Sequence, residues 1–339
     1  MRGANSRRFF IAPTIIAVVE NILIANKPKV VAIGGGHGLA ALLRGIKHET
    51  PHITAIVTVA DDGGSSGRLR RDMGTLPPGD FRMCITALAR DDSLVAQLFQ
   101  YRFSQGDGLK GHNFGNLFIA AMAELTGSFE RALIEASKVL ASTGRILPST
   151  LTHVNLCAEH SNGATSKGES ALGKLGHPIE RVWLEPHDPR AFPDAVAAIL
   201  AADIVLMGPG SLFTSVMPNL LVPGIHEAVH HTTAQRVYVC NVTTEIGETD
   251  GYSLADHVQA LERHIGKNML DVVIANNAEI DPILIPAGRA IIRAHGGLGG
   301  TTARLVTADL VGDIDHPIAH HPQKLARAIL TLGGRPTTI

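Results

Sequence analysis

The sequence predicts an α/β fold in which an open, mostly parallel central sheet is flanked by helices. Three observations carry that expectation. Apolar runs alternate with segments of 3.6-residue helical periodicity through most of the 339 residues. Three of the runs end in a glycine-rich segment: Gly34-Gly35-Gly36-His37-Gly38, Asp61-Asp62-Gly63-Gly64-Ser65-Ser66-Gly67 and Gly208-Pro209-Gly210-Ser211. The length is enough to bury the interior of one large domain.

Taken in order, residues 29–33 read as a buried strand and 39–47 as the helix after its glycine turn. Residues 53–60 form a second strand, β-branched almost throughout, as in a strand covered on both faces. A helical block follows over 79–140, with helices expected at 79–90, 93–103, 113–125 and 128–140. Between 151 and 185 the apolar period shortens toward two, giving a small β-rich insertion with strands at 152–158, 165–169 and 179–184. Alternation then resumes: helix 192–202, strand 204–207, helix 223–231, strand 236–240, helix 254–265 and strand 270–275. One or two short strands in 290–312 and a last helix over 321–332 close a single domain spanning 29–335. In an open parallel sheet ligands bind outside the carboxyl ends of the strands, near a switch in strand order. The segments that begin at Gly34, Asp61, Gly208, Asn241 and Asn276 therefore fall on one rim.

Composition removes several classes of function. A formal net charge of −1 argues against nucleic acid or an anionic membrane as partner. Cys84, Cys157 and Cys240 are far apart and outside any C-x-x-C pair, which suits buried free thiols in a reducing cytoplasm. The 17 histidines are scattered without flanking carboxylates at ligand spacing. Arg7-Arg8 precede an apolar stretch at 9–19 that Glu20 and Asn21 interrupt, too short for a membrane span of about 20 residues. Residues 1–28 are expected as an N-terminal helix or extension.

The loops carry the chemistry. Gly36-His37-Gly38-Leu39-Ala40-Ala41 fits G-x-G-x-x-A between a strand and a helix, where glycine lets a phosphate approach the backbone and a helix N-terminus adds partial positive charge. Asp61 and Asp62 end the second strand, where a dinucleotide-binding unit places its ribose carboxylate. They run straight into Gly63, Gly64 and Ser65, an additional anion nest that argues against a dehydrogenase. Paired carboxylates there suit Mg²⁺ held through one or two oxygens, a base for a hydroxyl proton, or simple capping. Arg82 follows Pro77-Pro78-Gly79-Asp80 in the first turn of a helix that Asp80 can cap. Arginine is unfavourable there, so phosphate binding or pairing with Asp61 or Asp62 is expected. His112, Asn113 and Asn116 open another helix and can read a base or sugar edge, or cap. Ser211 and Thr214 offer hydroxyls beside Gly208 and Gly210, and Asn241 and Thr243 add polar groups on the same rim.

These segments resemble the YvcK branch of the CofD/YvcK family. The likeness rests on Ala32-Ile33-Gly34-Gly35-Gly36 with Gly38-Leu39, Thr58-Val59-Ala60-Asp61-Asp62-Gly63-Gly64-Ser65-Ser66-Gly67, Leu76-Pro77-Pro78-Gly79-Asp80, Gly208-Pro209-Gly210-Ser211-Leu212 and Gly247-Glu248-Thr249-Asp250-Gly251, in family order over about residues 29–335. The resemblance implies a Rossmann-like core, a cytoplasmic bacterial protein, and a nucleotide-sugar ligand of the UDP-N-acetylglucosamine type. It also implies a role in cell shape and cell-wall precursor supply during gluconeogenic growth. The sister branch, 2-phospho-L-lactate transferase, implies Mg²⁺-dependent transfer from a guanylylated donor to a deazaflavin with release of GMP, its carboxylates matching Asp61 and Asp62. This chain departs from the family at His37, where threonine is usual, and at Ala319-His320-His321-Pro322, where Arg-His-Asp is usual. Arg68, Arg82 and His320 can substitute for the lost arginine.

The expectation is therefore a non-catalytic regulator that binds a UDP-sugar with its phosphates on the first and third glycine loops and acts on protein partners in cell-wall synthesis. The alternative is a transferase using Asp61 and Asp62 with Mg²⁺ and a GDP-type donor. The transferase is weakened by a shortage of aromatic stacking partners, with one Trp and three Tyr in the chain. Exposed apolar helices in the 79–140 block favour a homodimer.

Overall fold

The computed structural model describes residues 26–90, 93–294, 297–312 and 318–332; the N-terminal helix expected within 1–28 lies outside them except for its last three residues. Ten strands are described: β1 (Val30–Gly34), β2 (Ile53–Val57), β3 (Arg145–Pro148), β4 (Asn155–His160), β5 (Thr165–Lys167), β6 (Ile179–Glu185), β7 (Ile204–Met207), β8 (Gln235–Val239), β9 (Val272–Asn276) and β10 (Arg304–Ala308). Seven form one sheet in the order β10-β9-β8-β7-β1-β2-β3, and every neighbouring pair is parallel. The chain works outward from β1 to β3 on one side, then returns and works outward from β7 to β10 on the other. The order reverses between β1 and β7, which is the Rossmann arrangement with one strand added.

The helices are α1 (Gly36–Ile46), α2 (Gly64–Met73), α3 (Gly79–Leu88), α4 (Leu94–Gln100), α5 (Phe114–Thr126), α6 (Phe129–Val139), α7 (Glu169–Leu172), α8 (Pro193–Leu200), α9 (Met217–Leu220), α10 (Pro223–His231), α11 (Leu254–Ile265) and α12 (Pro322–Leu330), with a π-helical turn at Leu212–Val216 leading into α9. The central strands read as continuous apolar runs because helices cover both faces, and β1, β7 and β9 are buried at every position. Side chains set several helix starts. Ser128 caps α6, Asn113 caps α5, and Ser253 with Asp256 forms a reciprocal capping box on α11.

The β-rich insertion is a three-stranded antiparallel sheet, β5-β4-β6. Several elements were absent from the sequence expectation, among them α7, where 165–169 was expected as a strand that ends at Lys167, and the π-helical turn with α9; two more bear on the sheet and the second loop. One is β3, four residues at the edge of the parallel sheet. The other is α2, which begins inside the second glycine segment. The expected helix over 93–103 stops at Gln100, after which Arg102 bridges to Asn113. All three cysteines are free and buried. Among the described residues no helix is long and apolar enough to cross a membrane. The helical block leaves Leu94, Leu98, Leu125 and Val139 exposed.

The face of α1 that carries the first loop is fixed by α12. A Cβ on Gly45 would stand 2.0 Å from the Pro322 carbonyl oxygen. Gly45→Ala is therefore expected to destabilise the fold by about 1–3 kcal/mol, outweighing the roughly 1 kcal/mol by which alanine favours a helix interior. The measurement is the urea midpoint, which should fall at constant m-value; an unchanged or higher midpoint refutes the packing argument.

Candidate functional site

The turns after β1 and β7 meet at the reversal of strand order. Gly36 (φ +63°), Gly208 (φ +80°) and Gly210 (φ +146°) occupy backbone conformations that favour glycine. Gly38 is required by contact rather than by φ, because a Cβ there would lie 2.6 Å from the Pro209 carbonyl oxygen. Asn241, just after β8, accepts the Gly210 N–H at 3.0 Å and braces the third loop. Between the loops opens a cleft of about 390 Å³ lined by Gly35, Gly36, His37, Gly38, Gly210, Ser211, Ser215, Asn241, Thr243, Glu245, Arg289 and the segment 318–320. Gly34 and Gly208 form its backbone floor rather than its lining.

Sequence reasoning missed Arg289. Its guanidinium pairs with Glu245 Oε2 at 2.7 Å and reaches Thr243 Oγ1 at 3.4 Å, inside the cleft. The substitutes expected for a phosphate-binding arginine are engaged elsewhere. Arg68 donates to the Lys110 carbonyl at 3.0 Å, and Arg82 Nε donates to Asn116 Oδ1 at 3.0 Å instead of meeting phosphate, Asp61 or Asp62. His320 lines the cleft, but its buried ring lies on the Cys240 carbonyl and burial pushes its pKa down to about 4, so it is neutral at pH 7.

The second loop is built differently from the expected free nest. Asp61 Oδ1 accepts the Gly63 N–H at 2.8 Å and α2 starts at once, so this is an ordinary helix start. Gly67 is forced, since a Cβ would fall 1.8 Å from the Asp62 carbonyl oxygen. Asp62 Oδ1 accepts the Ser170 N–H at 2.8 Å, which docks the insertion on the loop. Ser65 Oγ lies 3.1 Å from His112 Nδ1 and accepts the Asn113 N–H at 3.3 Å, while Asn113 Oδ1 accepts the Asn116 N–H at 3.3 Å. His112 and Asn113 are buried and pin the start of α5 to α2, and buried Asn116 ties α5 to Arg82 of α3; none of the three lines the cleft. Gly64, with φ +47°, opens α2 and does not line the cleft.

Asp80 does not cap α3. Its carboxylate accepts the Gly36 N–H, and burial, then Asp61, raise its pKa to about 7. Around it the acidic side chains are crowded. Burial, then Asp61 and Asp80, lift Glu169 to about 9; burial lifts Glu248 to about 7 and raises Asp61 as well. The rim thus holds two adjoining regions: a cleft with Arg289, and an acidic centre behind the first loop.

Comparisons with known proteins agree with this architecture. The family model described as 2-phospho-L-lactate transferase CofD matches residues 30–294. The gluconeogenesis factor of Halalkalibacterium halodurans is 44% identical over 319 residues, covering 92% of this chain and 98% of that protein. The gluconeogenesis factor of Bacillus subtilis is 48% identical over 257 residues, covering 76% and 81%. The crystal structure of protein BH3568 from Bacillus halodurans superposes with a TM-score of 0.87 at 43% identity, covering 90% of this chain and all of that one. With the sheet order, the glycine turns and these relatives in agreement, the chain belongs to the CofD family, among its gluconeogenesis factors.

Proposed function

We propose that this protein is a cytoplasmic regulator that holds a nucleotide sugar of the UDP-N-acetylglucosamine type by its diphosphate, without turnover. The reading extends to a role in cell shape and cell-wall precursor supply on gluconeogenic carbon, exerted through protein partners. One observation carries it: two glycine turns touch at the reversal of strand order, and the cleft between them holds an arginine. Amides at the start of α1 and the Arg289 fork are suited to a diphosphate, whose oxygens accept from both. Asn241 and Thr243 add polar groups for the remainder of the ligand. The acidic centre lies behind the loop, and among the described residues that line the cleft Glu245 is the one carboxylate.

A second reading, a transferase, has that acidic centre in its favour. Asp61 and Asp62 would be the residues to hold Mg²⁺, and the fit is partial. Asp61 accepts from the Gly63 N–H and the Ser66 side chain and Asp62 Oδ1 accepts from the Ser170 N–H, while among the described residues no three His, Cys, Asp or Glu side chains are grouped to hold a metal. Mg²⁺ retains several waters and can be held through one or two carboxylates. Bound there, it would neutralise charge on a phosphoryl group, and it would relieve the repulsion among Asp61, Asp80 and Glu169.

Two measurements separate the readings. UDP-N-acetylglucosamine at about a hundredfold excess over Kd is expected to raise the melting temperature by about 5 °C without Mg²⁺. Arg289→Ala should weaken binding by roughly 10- to 100-fold, the worth of a charge-assisted pair of hydrogen bonds; unaltered affinity removes Arg289 from the site. GDP with Mg²⁺ is expected to give no stabilisation beyond GDP alone. A magnesium-dependent rise that disappears in Asp62→Asn would instead establish the transferase reading.

A further inference from the structure

Glu248, in the loop after β8, reaches the back of the third glycine turn. Its carboxylate accepts from Ser211 Oγ and, at 3.4 Å, from Thr214 Oγ1. Ser211 lines the cleft and Glu248 does not. Ser211 also caps the π-helical turn, its Oγ accepting the Thr214 N–H at 3.2 Å. The hydroxyl therefore has one hydrogen and one remaining lone pair to divide between Glu248 and the cleft. When Glu248 is ionised, the hydrogen goes to the carboxylate and the lone pair faces the cleft, where it repels a phosphate oxygen. When Glu248 is protonated, its own O–H donates to Ser211 Oγ, and Ser211 turns its hydrogen toward the ligand.

We propose that Ser211 relays the protonation of Glu248 to the cleft, so that a phosphate binds there with uptake of one proton. The inference rests on the nucleotide-sugar reading and names a residue pair that regulates it. The charged groups facing Glu248 are Glu245 on its own loop, Arg289 in ion pair with Glu245, and Glu169 at the start of α7. Burial is the largest influence on Glu248 and Glu245 adds to it; Ser211, Thr214 and Arg289 oppose them, leaving the group at about 7. A phosphate brings one more negative charge and raises it further. Uptake is thus confined to the range from about pH 7 upward. There affinity falls as pH rises, by up to about tenfold per unit. UDP-N-acetylglucosamine is a clean probe, because its two phosphates are singly charged diesters that do not titrate near neutrality.

The test is isothermal titration of UDP-N-acetylglucosamine from about pH 6 to about pH 9, with buffers of unlike ionisation enthalpy compared near pH 8. The unaltered protein should weaken by about tenfold or more across that range and take up about one proton. Glu248→Gln, whose amide donates permanently to Ser211, should keep the low-pH affinity throughout. Ser211→Ala should bind weakly with a reduced slope, the remainder being direct repulsion between Glu248 and the phosphate, and His37→Asn should retain the slope. A slope that persists in Glu248→Gln, or that vanishes in His37→Asn, overturns the proposal. Binding that is flat with pH in the unaltered protein overturns the proposal alone. Absence of binding at every pH, in both the unaltered protein and Glu248→Gln, overturns the nucleotide-sugar reading beneath it as well.

Discussion

The rim depends on one close contact, the backbone-to-backbone approach of the turns after β1 and β7. Gly38 faces the Pro209 carbonyl, and a Cβ on Gly210 would stand 3.3 Å from the Gly35 carbonyl oxygen. Asn219 fixes the contact from beneath. It is fully buried, and its Nδ2 donates to the Gly34 carbonyl at 3.1 Å and the Ser215 carbonyl at 2.8 Å, so one amide spans both turns. Its Oδ1 has no partner among the described residues, a deficit that costs about 1–3 kcal/mol. An aspartate or leucine of similar size could not donate to two carbonyls at once, and that is the physical reason for tolerating the unmet oxygen.

Given that contact, the charges of the rim follow. Helix N-termini favour anions, and here each is answered in part from inside the chain. Asp80 takes the Gly36 N–H, Asp61 takes the Gly63 N–H, and Glu248 lies on the Ser211 hydroxyl that caps the third turn. Arg289, paired with Glu245, brings positive charge to the cleft beside them. Burial is the main reason that the pKa values of Asp80, Glu169 and Glu248 are raised, and neighbouring carboxylates add to it: Asp61 at Asp80, Asp61 and Asp80 at Glu169, and Glu245 at Glu248. Such crowding is unfavourable in the empty protein and is relieved by a proton, a cation or a rearranged hydrogen bond, a pattern that concentrates at functional sites.

Much of this was legible in the residues, for identifiable reasons. Central strands such as β1 and β7 are apolar at every position because helices cover both faces, and the glycine turns follow them directly. What escaped was decided by tertiary contact. The α2 segment, Gly64–Met73, is polar, with glycines that read as loop; Gly67 is there because the Asp62 carbonyl leaves no room for a Cβ, a fact local propensity cannot express. At four residues, β3 is too short to show a period. The polar residues His112, Asn113 and Asn116 have the chemistry of a binding site but are used to join helices, and sequence does not distinguish the two uses. Arg289 sits in a stretch without helical or strand periodicity, and only the fold brings it to Thr243 and Glu245.

The insertion ties these parts into a closed circuit. Ser170 holds Asp62, and a Cβ on Gly247 would stand 2.3 Å from the Gly173 carbonyl oxygen, so α7 is wedged between the second loop and the loop that carries Glu248. From Glu248 the contacts run to Ser211, through the third turn to Pro209 and Gly38, and by the Gly36 N–H to Asp80, which feels the charge of Asp61. A binding protein that signals occupancy needs a physical connection from its ligand to an outward surface. Here a path of contacts runs from cleft-lining Ser211 to Glu248 and along its loop to Gly247, which packs on Gly173 of the insertion. It also separates the two readings of the site. A regulator requires the circuit to shift when phosphate enters, whereas a transferase requires the acidic centre to stay fixed while an acceptor approaches it.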